Sequence, residues 1–263
     1  MREFNHMPAN LHYVTSGPAD QPALLLIHPL GSSHVFWDEC AAIWSKRFHV
    51  VALDLRGAGA SPIPDRPWKA DEHAQDVISV REALGLRDVI VIGCAIGSMV
   101  AARYAEADAG VVRGLVLSNT TTELGEASRQ RHEGRLKLVA EKGMEALLPA
   151  VIDMAFNGLP KDERYTRYME RFRQNNPKGY GSLALGMVGT DNIDILSKLN
   201  VPTLVAVGAH DILLPPDMSR NVHALVKGSE FAVVEEGAHF MPYQAPDAFA
   251  ALVSDFIERR VEF

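Results

Sequence analysis

Three short segments carry residue types that perform acyl transfer in other proteins, in the order nucleophile position, acid, histidine. The first is Gly93-Cys94-Ala95-Ile96-Gly97, which has the spacing of a nucleophile elbow but an alanine at its centre. Asp211 and His239 follow later in the chain, each shortly after an apolar run. A carboxylate beside a histidine fixes its tautomer and stabilises its protonated form. The pattern predicts a Ser-His-Asp type of site in which Ala95 stands at the nucleophile position.

Two backbone amides are expected to complete this site as an oxyanion hole. Ile96 follows the nucleophile position at the start of a predicted helix, where the helix dipole favours an anion. Leu30, in His28-Pro29-Leu30-Gly31 after an apolar run, is the expected second donor, and a simple Pro-x-Gly turn is the alternative. Cys94 precedes the central residue of the elbow and is expected to point into the core as a structural thiol.

Six short apolar runs predict the strands that position these segments. Runs that are apolar on both faces are typical of parallel strands covered by helices. Helical patterns alternate with them, and this alternation predicts a mostly parallel, doubly wound α/β sheet. The predicted strands cover residues 23–27, 49–53, 88–92, 114–117, 203–207 and 231–234, and the predicted helices cover residues 70–84, 98–107, 218–225 and 245–257.

The alternation stops between about residues 121 and 194, where four helical stretches replace it. They cover residues 126–141, 144–156, 161–174 and 180–188. About 70 residues without a strand are too many for one crossover connection. We therefore predict a small helical cap, or lid, at residues 121–194, over a core formed by residues 1–120 and 195–263.

Composition limits the partners and the compartment that can be expected. A net charge of −7 argues against a nucleic-acid partner, which requires a concentrated basic face. No run approaches the roughly 20 apolar residues of a membrane span, and the first residues lack the apolar core of a signal peptide. Cys40 and Cys94 are expected to be buried free thiols in a cytoplasmic protein. No metal-ligand spacing is present, and no metal is expected.

These segments resemble the α/β-hydrolase superfamily over almost the whole chain, and within it the 3-oxoadipate enol-lactonases most. The resemblance implies hydrolysis of a small carboxylic ester, lactone or amide through an acyl-enzyme, without a cofactor. In the cap, residues 153–157 lack the Arg-Trp pair that often follows the second cap helix of those enzymes. The resemblance rests on Leu11-His12-Tyr13, residues 28–31, residues 54–61 (DLRGAGAS), the elbow, residues 143–147 (GMEAL) and residues 201–216.

Ala95 leaves three interpretations open, because an alanine methyl cannot attack a carbonyl. Loss of a triad serine lowers turnover by about a million-fold. The chain is then an engineered Ser→Ala form of a hydrolase, a natural enzyme that uses the His239–Asp211 pair as a general base, or a ligand-binding protein. The intact glycines, acid and histidine favour the first interpretation.

Three residues are candidates for substrate contacts. Arg131 and Arg135 on the first cap helix can hold a substrate carboxylate by charge-assisted hydrogen bonds, and a solvated helix face with balancing glutamates is the alternative. Trp37, six residues after Gly31, is predicted either to line the pocket or to pack in the core. The expected partner is a small molecule, and the oligomeric state is left open.

Overall fold

A computed structural model describes residues 2–5 and 10–263 of the chain. In this described part, eight strands form one sheet in the order β1-β2-β4-β3-β5-β6-β7-β8. Neighbours among β3 to β8 are parallel, whereas β2 runs antiparallel to both β1 and β4. The strands are β1 (Arg2–Asn5), β2 (His12–Ser16), β3 (Ala23–Ile27), β4 (His49–Leu53), β5 (Val89–Cys94), β6 (Val112–Ser118), β7 (Thr203–Gly208) and β8 (Glu230–Val234).

Helices connect the parallel strands and cover both faces of the sheet. They are α1 (Asp38–Trp44), α2 (Ala70–Ala83), α3 (Ile96–Ala107), α4 (Glu126–Lys142), α5 (Ala150–Ala155), α6 (Glu163–Arg173), α7 (Pro177–Met187), α8 (Ile193–Lys198), α9 (Pro216–Leu225), α10 (Met241–Gln244) and α11 (Pro246–Arg260). Short 3-10 turns lie at His34–Trp37 and Met144–Leu147. In the described residues, no helix is both long and apolar enough to cross a bilayer.

Strand β3 shows how the sheet divides the core into two layers. Leu24 and Leu26 pack in one layer with α1 and α11, whereas Leu25 and Ile27 pack in the other with α2 and α3. All four side chains are fully buried. Because side chains alternate between the faces of a strand, a continuous apolar run is what a strand covered on both sides requires.

The six predicted strands are present, with ends that differ from the prediction by at most two residues. Strands β1 and β2 were not predicted, nor was α1. The sequence of β2, His-Tyr-Val-Thr-Ser, has only a short apolar stretch, and this strand forms by pairing with the edge of β4. A local sequence pattern does not show that a segment will pair with a strand about 40 residues away.

The predicted cap segment contains helices, which lie between β6 and β7. Helices α4, α6 and α7 lie where three of the four helical stretches were predicted. The single helix predicted over residues 144–156 is wrong, because Leu148 is extended and the 3-10 turn and α5 lie on either side of it. The following Pro149 explains this break, since the residue before a proline is disfavoured in the helical region. The boundaries of the cap stay a prediction.

Candidate active site

The turn from β5 into α3 has the backbone of a nucleophile elbow. Ala95 has φ 51° and ψ −116°, a left-handed conformation that residues other than glycine rarely adopt. A β-carbon at Gly93 would overlap the Gly97 carbonyl, and one at Gly97 would overlap the Ile27 carbonyl of β3. Both glycines are therefore required by the close approach of β3, β5 and α3.

Cys94 points away from this turn into the core. Its side chain is fully buried, and Sγ lies 3.9 Å from the His239 carbonyl oxygen, to which it donates. Burial raises the pKa of the Cys94 thiol, so the nucleophilic thiolate is disfavoured. The structure agrees with the prediction of a structural thiol, and Cys40 is also buried and unpaired.

Asp211 and His239 form a hydrogen-bonded pair at the same end of the sheet. Nδ1 of His239 lies 3.0 Å from Oδ2 and 3.2 Å from Oδ1 of Asp211. Oδ1 of Asp211 also accepts hydrogen bonds from the Leu213 and Leu214 amides, at 2.9 Å and 3.0 Å. Burial by itself raises the pKa of Asp211. The charge and hydrogen bond of His239, together with the hydrogen bonds from Leu214 and Asn119, lower it by more, so the pKa lies below its usual value. Asp211 is therefore ionised at neutral pH.

Asn119 also holds this pair, and no motif in the sequence predicted it. Its Nδ2 donates to Oδ2 of Asp211 and to the carbonyl of Ala238, the residue before the histidine, both at 2.9 Å. Asn119 is fully buried directly after β6 and has φ 50°. Asparagine tolerates this left-handed region better than most residues. Its position after a core strand was the only signal in the sequence.

The expected oxyanion loop is held by a buried histidine. Nδ1 of His28 lies 2.8 Å from the Pro29 carbonyl, and Nε2 accepts from the Leu55 amide at 3.0 Å. Because Nε2 accepts, Nδ1 must carry the proton, and burial lowers the pKa of His28, which keeps the ring neutral. Within the described residues, the amides of Leu30 and Ile96 have no hydrogen-bond partner. Both residues line the cavity above the elbow, and their role as oxyanion donors stays a prediction.

A small cavity lies between the elbow and the cap. Its volume is about 80 Å³, enough for a few water molecules or a small substrate. The lining combines the predicted site with apolar side chains from the core and the cap. The lining residues are Leu30, Ala95, Ile96, Met99, Leu124, Ser128, Arg131, His132, Arg135, Val151, Phe172, Tyr180, Leu213, Leu214, His239 and Phe240.

Of the predicted substrate contacts, the structure brings Arg131 and Arg135 to this cavity. Trp37 is not among the residues that line it, which agrees with the alternative that Trp37 packs in the core. Its side chain is fully buried between Phe36 and Phe249, with ring centroids 4.9 Å and 6.4 Å away. The 3-10 turn at His34–Trp37 directs it into the core layer beneath α11.

Two further polar side chains of the cavity were missed, His132 and Tyr180. Nδ1 of His132 is buried without a partner among the described residues. Burial, with Arg135 and Arg131 nearby, lowers the pKa of His132 to about 4, so the ring is neutral at physiological pH. Burial raises the pKa of Tyr180, and Arg135 opposes this effect through its charge and a hydrogen bond. The helical spacing of these residues gave no sign that they face a ligand.

His12, His34 and Asp54 meet behind the oxyanion loop, in a group that could hold a metal ion by its residue types. Oδ2 of Asp54 lies 2.8 Å from Nδ1 of His12 and accepts from the Ala60 amide. Oδ1 accepts from the His34 amide at 2.6 Å and lies 3.0 Å from Nδ1 of His34. These contacts occupy the acceptor positions of the carboxylate, and the group is explained as a hydrogen-bonded cluster.

Comparison with known protein families decides which family this arrangement belongs to. Residues 22–246 match the family described as alpha/beta hydrolase fold. The chain belongs to this family. The match includes the elbow, Asp211 and His239, so these residues lie within the part of the chain that defines the membership.

Relatives of this alpha/beta hydrolase are named for different hydrolytic reactions. It is 26% identical to 3-oxoadipate enol-lactonase 2 of Acinetobacter baylyi, over 95% of this chain and 93% of that protein. It is 27% identical to the putative carbamate hydrolase RutD of Variovorax paradoxus, over 95% and 96%. It is 28% identical to the serine hydrolase BPHL of Mus musculus, over 95% and 83%.

Solved structures agree on the fold. The enol-lactonase from Burkholderia xenovorans superposes with a TM-score of 0.89 at 24% identity, over 95% of this chain and 96% of that one. A thermophilic esterase from Thermogutta terrifontis superposes with a TM-score of 0.88 at 21% identity, over 98% of both chains. At these identities the likeness establishes the alpha/beta hydrolase fold and no activity.

Proposed function

We propose that this site belongs to a serine-type hydrolase of a small carboxylic ester, lactone or amide, and that Ala95 is an inactivating replacement of its serine. The backbone of Ala95 carries the proposal. A non-glycine residue in so rare a conformation costs about 1–3 kcal/mol, and such strain persists where function uses it. An alanine gains nothing from it, whereas a serine oxygen at this position would share the cavity with His239.

In the serine form, His239 accepts the hydroxyl proton at Nε2 while the oxygen attacks the substrate carbonyl. Asp211 stabilises the imidazolium, as its ionised state allows. The Leu30 and Ile96 amides donate to the oxyanion, and the imidazolium then protonates the leaving group. A water molecule, activated in the same way by His239, then attacks the acyl-enzyme and releases the carboxylic acid. In the chain with Ala95 the same residues bind substrate but form no acyl-enzyme.

The relatives support hydrolysis as the reaction class, since their names are an enol-lactonase, a carbamate hydrolase and a serine hydrolase. The small cavity supports a metabolite rather than a long acyl chain. A cytoplasmic location belongs to the same proposal, and the buried, unpaired thiols of Cys40 and Cys94 support a reducing compartment.

The Ala95→Ser variant tests this function. We expect a burst of p-nitrophenol from p-nitrophenyl acetate and a gain in turnover of roughly 10⁴- to 10⁶-fold over the parent chain. A lactone panel then ranks substrates, and mass spectrometry should find the acyl group on residue 95.

Two double variants serve as controls. Adding His239→Ala or Asp211→Asn to Ala95→Ser should remove most of the gained activity. If Ala95→Ser folds but shows neither burst nor gain, the site is not that of a serine hydrolase.

A further inference from the structure

His239 presents an unoccupied base to the cavity. Its Nδ1 is bonded to Asp211, so Nε2 is the basic atom left for a ligand. In a Ser-His-Asp site the serine hydroxyl donates a hydrogen bond to this nitrogen. Here Ala95 contributes only a methyl group, and among the described residues the side-chain hydrogen bonds of the His239 ring are those of Nδ1 with Asp211. A substrate C–H can therefore approach the imidazole without competition from a hydroxyl.

The oxyanion amides are present in the same cavity. A carbonyl oxygen that accepts from Leu30 and Ile96 is polarised, which acidifies the hydrogens on its α-carbon. The ionised Asp211 stabilises the imidazolium that proton removal creates. A base, an electrophile and a stabilising carboxylate are the groups that enolisation needs, and no nucleophile is required.

The opposite wall of the cavity is cationic. Arg131 and Arg135 lie one helical turn apart on α4 and therefore on one face of it. Neither forms an ion pair with a described carboxylate, and no aspartate or glutamate lines the cavity. By contrast, Arg129 on the same helix pairs with Glu126 and does not line the cavity. Arg135 is half-buried and Arg131 is exposed at this wall, and two neighbouring guanidinium groups without a carboxylate partner favour a carboxylate-bearing ligand.

We propose that the chain with Ala95 enolises small oxo-carboxylates, with His239 as the base and Arg131 and Arg135 as the carboxylate contacts. Nε2 of His239 takes a proton from the carbon beside the carbonyl, and the C–H electron pair forms the C=C bond of the enolate. The carbonyl electron pair moves to the oxygen held by the Leu30 and Ile96 amides. The proton on Nε2 then exchanges with a solvent deuteron, and transfer of that deuteron to the same carbon re-forms the carbonyl and completes an isotope exchange, with no oxidant or reductant.

Levulinate in D₂O is the test, with the intact chain. We expect proton NMR to show loss of the hydrogens beside its carbonyl at roughly 10²- to 10⁴-fold above the buffer rate. The neutral comparator 2-pentanone, which has a methyl group in place of the carboxylate, should exchange far more slowly. Arg135→Gln should lower the exchange of levulinate by at least roughly tenfold, and the matched control Arg129→Gln should leave it unchanged.

Two variants address the base. His239→Ala should lose exchange and regain part of it with added imidazole, which separates loss of the base from loss of the fold. Ala95→Ser should also exchange more slowly, because the new hydroxyl occupies Nε2. No exchange with levulinate in the intact chain overturns the proposal, and equal exchange of 2-pentanone overturns the carboxylate assignment. Neither result depends on whether Ala95→Ser gains esterase activity.

Discussion

Asn119 shows how a single buried side chain can set the geometry of the candidate site. It joins the acid and the loop before the histidine through one amide nitrogen, and Ser118 in turn donates to its Oδ1 at 2.9 Å. A residue that does not hydrogen-bond to the histidine ring therefore helps the Leu213 and Leu214 amides to orient Asp211. Such supporting hydrogen bonds hold catalytic groups within the small tolerances that chemistry requires.

Asn119→Gly removes this amide while the backbone keeps its left-handed conformation at no steric cost. In the Ala95→Ser background we expect kcat to fall roughly tenfold to a hundredfold, because a hydrogen bond to a charged group is worth about 1.5–3 kcal/mol. The pKa of Asp211 should rise, because its carboxylate loses one hydrogen-bond donor. Asn119→Ala should show the same kinetic loss with an additional loss of stability; unchanged kinetics in both variants would exclude a positioning role.

At the scale of elements, the shortest helix of the predicted cap is tied to the histidine loop. The Ala155 carbonyl at the end of α5 accepts from the His239 amide at 3.2 Å and from Nε2 of Gln244 at 2.9 Å. Oε1 of Gln244 accepts from the Ala238 amide at 2.8 Å. One glutamine therefore joins α5, α10 and the loop that carries the candidate base.

Gln244→Leu tests this connection. The substitution leaves the buried Ala238 amide without a partner, so we expect the free energy of unfolding to fall by about 1–3 kcal/mol. In the Ala95→Ser background kcat should fall more than KM changes, because the substitution leaves Arg131 and Arg135, the proposed substrate contacts on α4, in place. Urea unfolding and steady-state kinetics measure the two effects. The exposed Gln75→Leu is the control, and equal effects in both variants would contradict the assigned role.

The elements also show what local sequence patterns can predict. The strands and the elbow were predictable because a buried strand is apolar throughout and an elbow needs glycine at fixed spacing. Strand β2 and the roles of Asn119 and His132 depend on partners tens of residues away, and nothing local encodes such contacts. Trp37 was ambiguous for the same reason, since a large aromatic residue suits both a core and a pocket.

At the scale of the whole molecule, Asp54 connects segments that are distant in the chain. Its carboxylate joins His12 of β2, the turn at His34 behind the oxyanion loop and the loop at Ala60. Burial raises the pKa of Asp54, but the hydrogen bonds and charges of the histidines prevail and lower it to about 2. A carboxyl group with a depressed pKa stabilises the fold above its ordinary pKa, and this contribution is lost as the pH falls toward 2.

We therefore expect a fall in pH to lower the free energy of unfolding of the parent chain more than that of the Asp54→Asn variant. Between pH 5 and pH 2 the excess loss should be about 2 kcal/mol, from a pKa that moves from 3.8 to about 2 on folding. Urea unfolding at a series of pH values provides the comparison. If both chains lose stability in parallel over this range, Asp54 is not the acid-sensitive connection.

The glycines at 93 and 97 have a consequence for the history of the gene. They are required where β3, β5 and α3 meet, whatever residue stands between them. Alanine and serine codons can differ by one base, and Ala95 lines the cavity into which a serine hydroxyl at this position would extend. If both proposals hold, one point mutation interconverts hydrolysis and enolisation in a protein whose elbow glycines and neighbouring strands are unchanged.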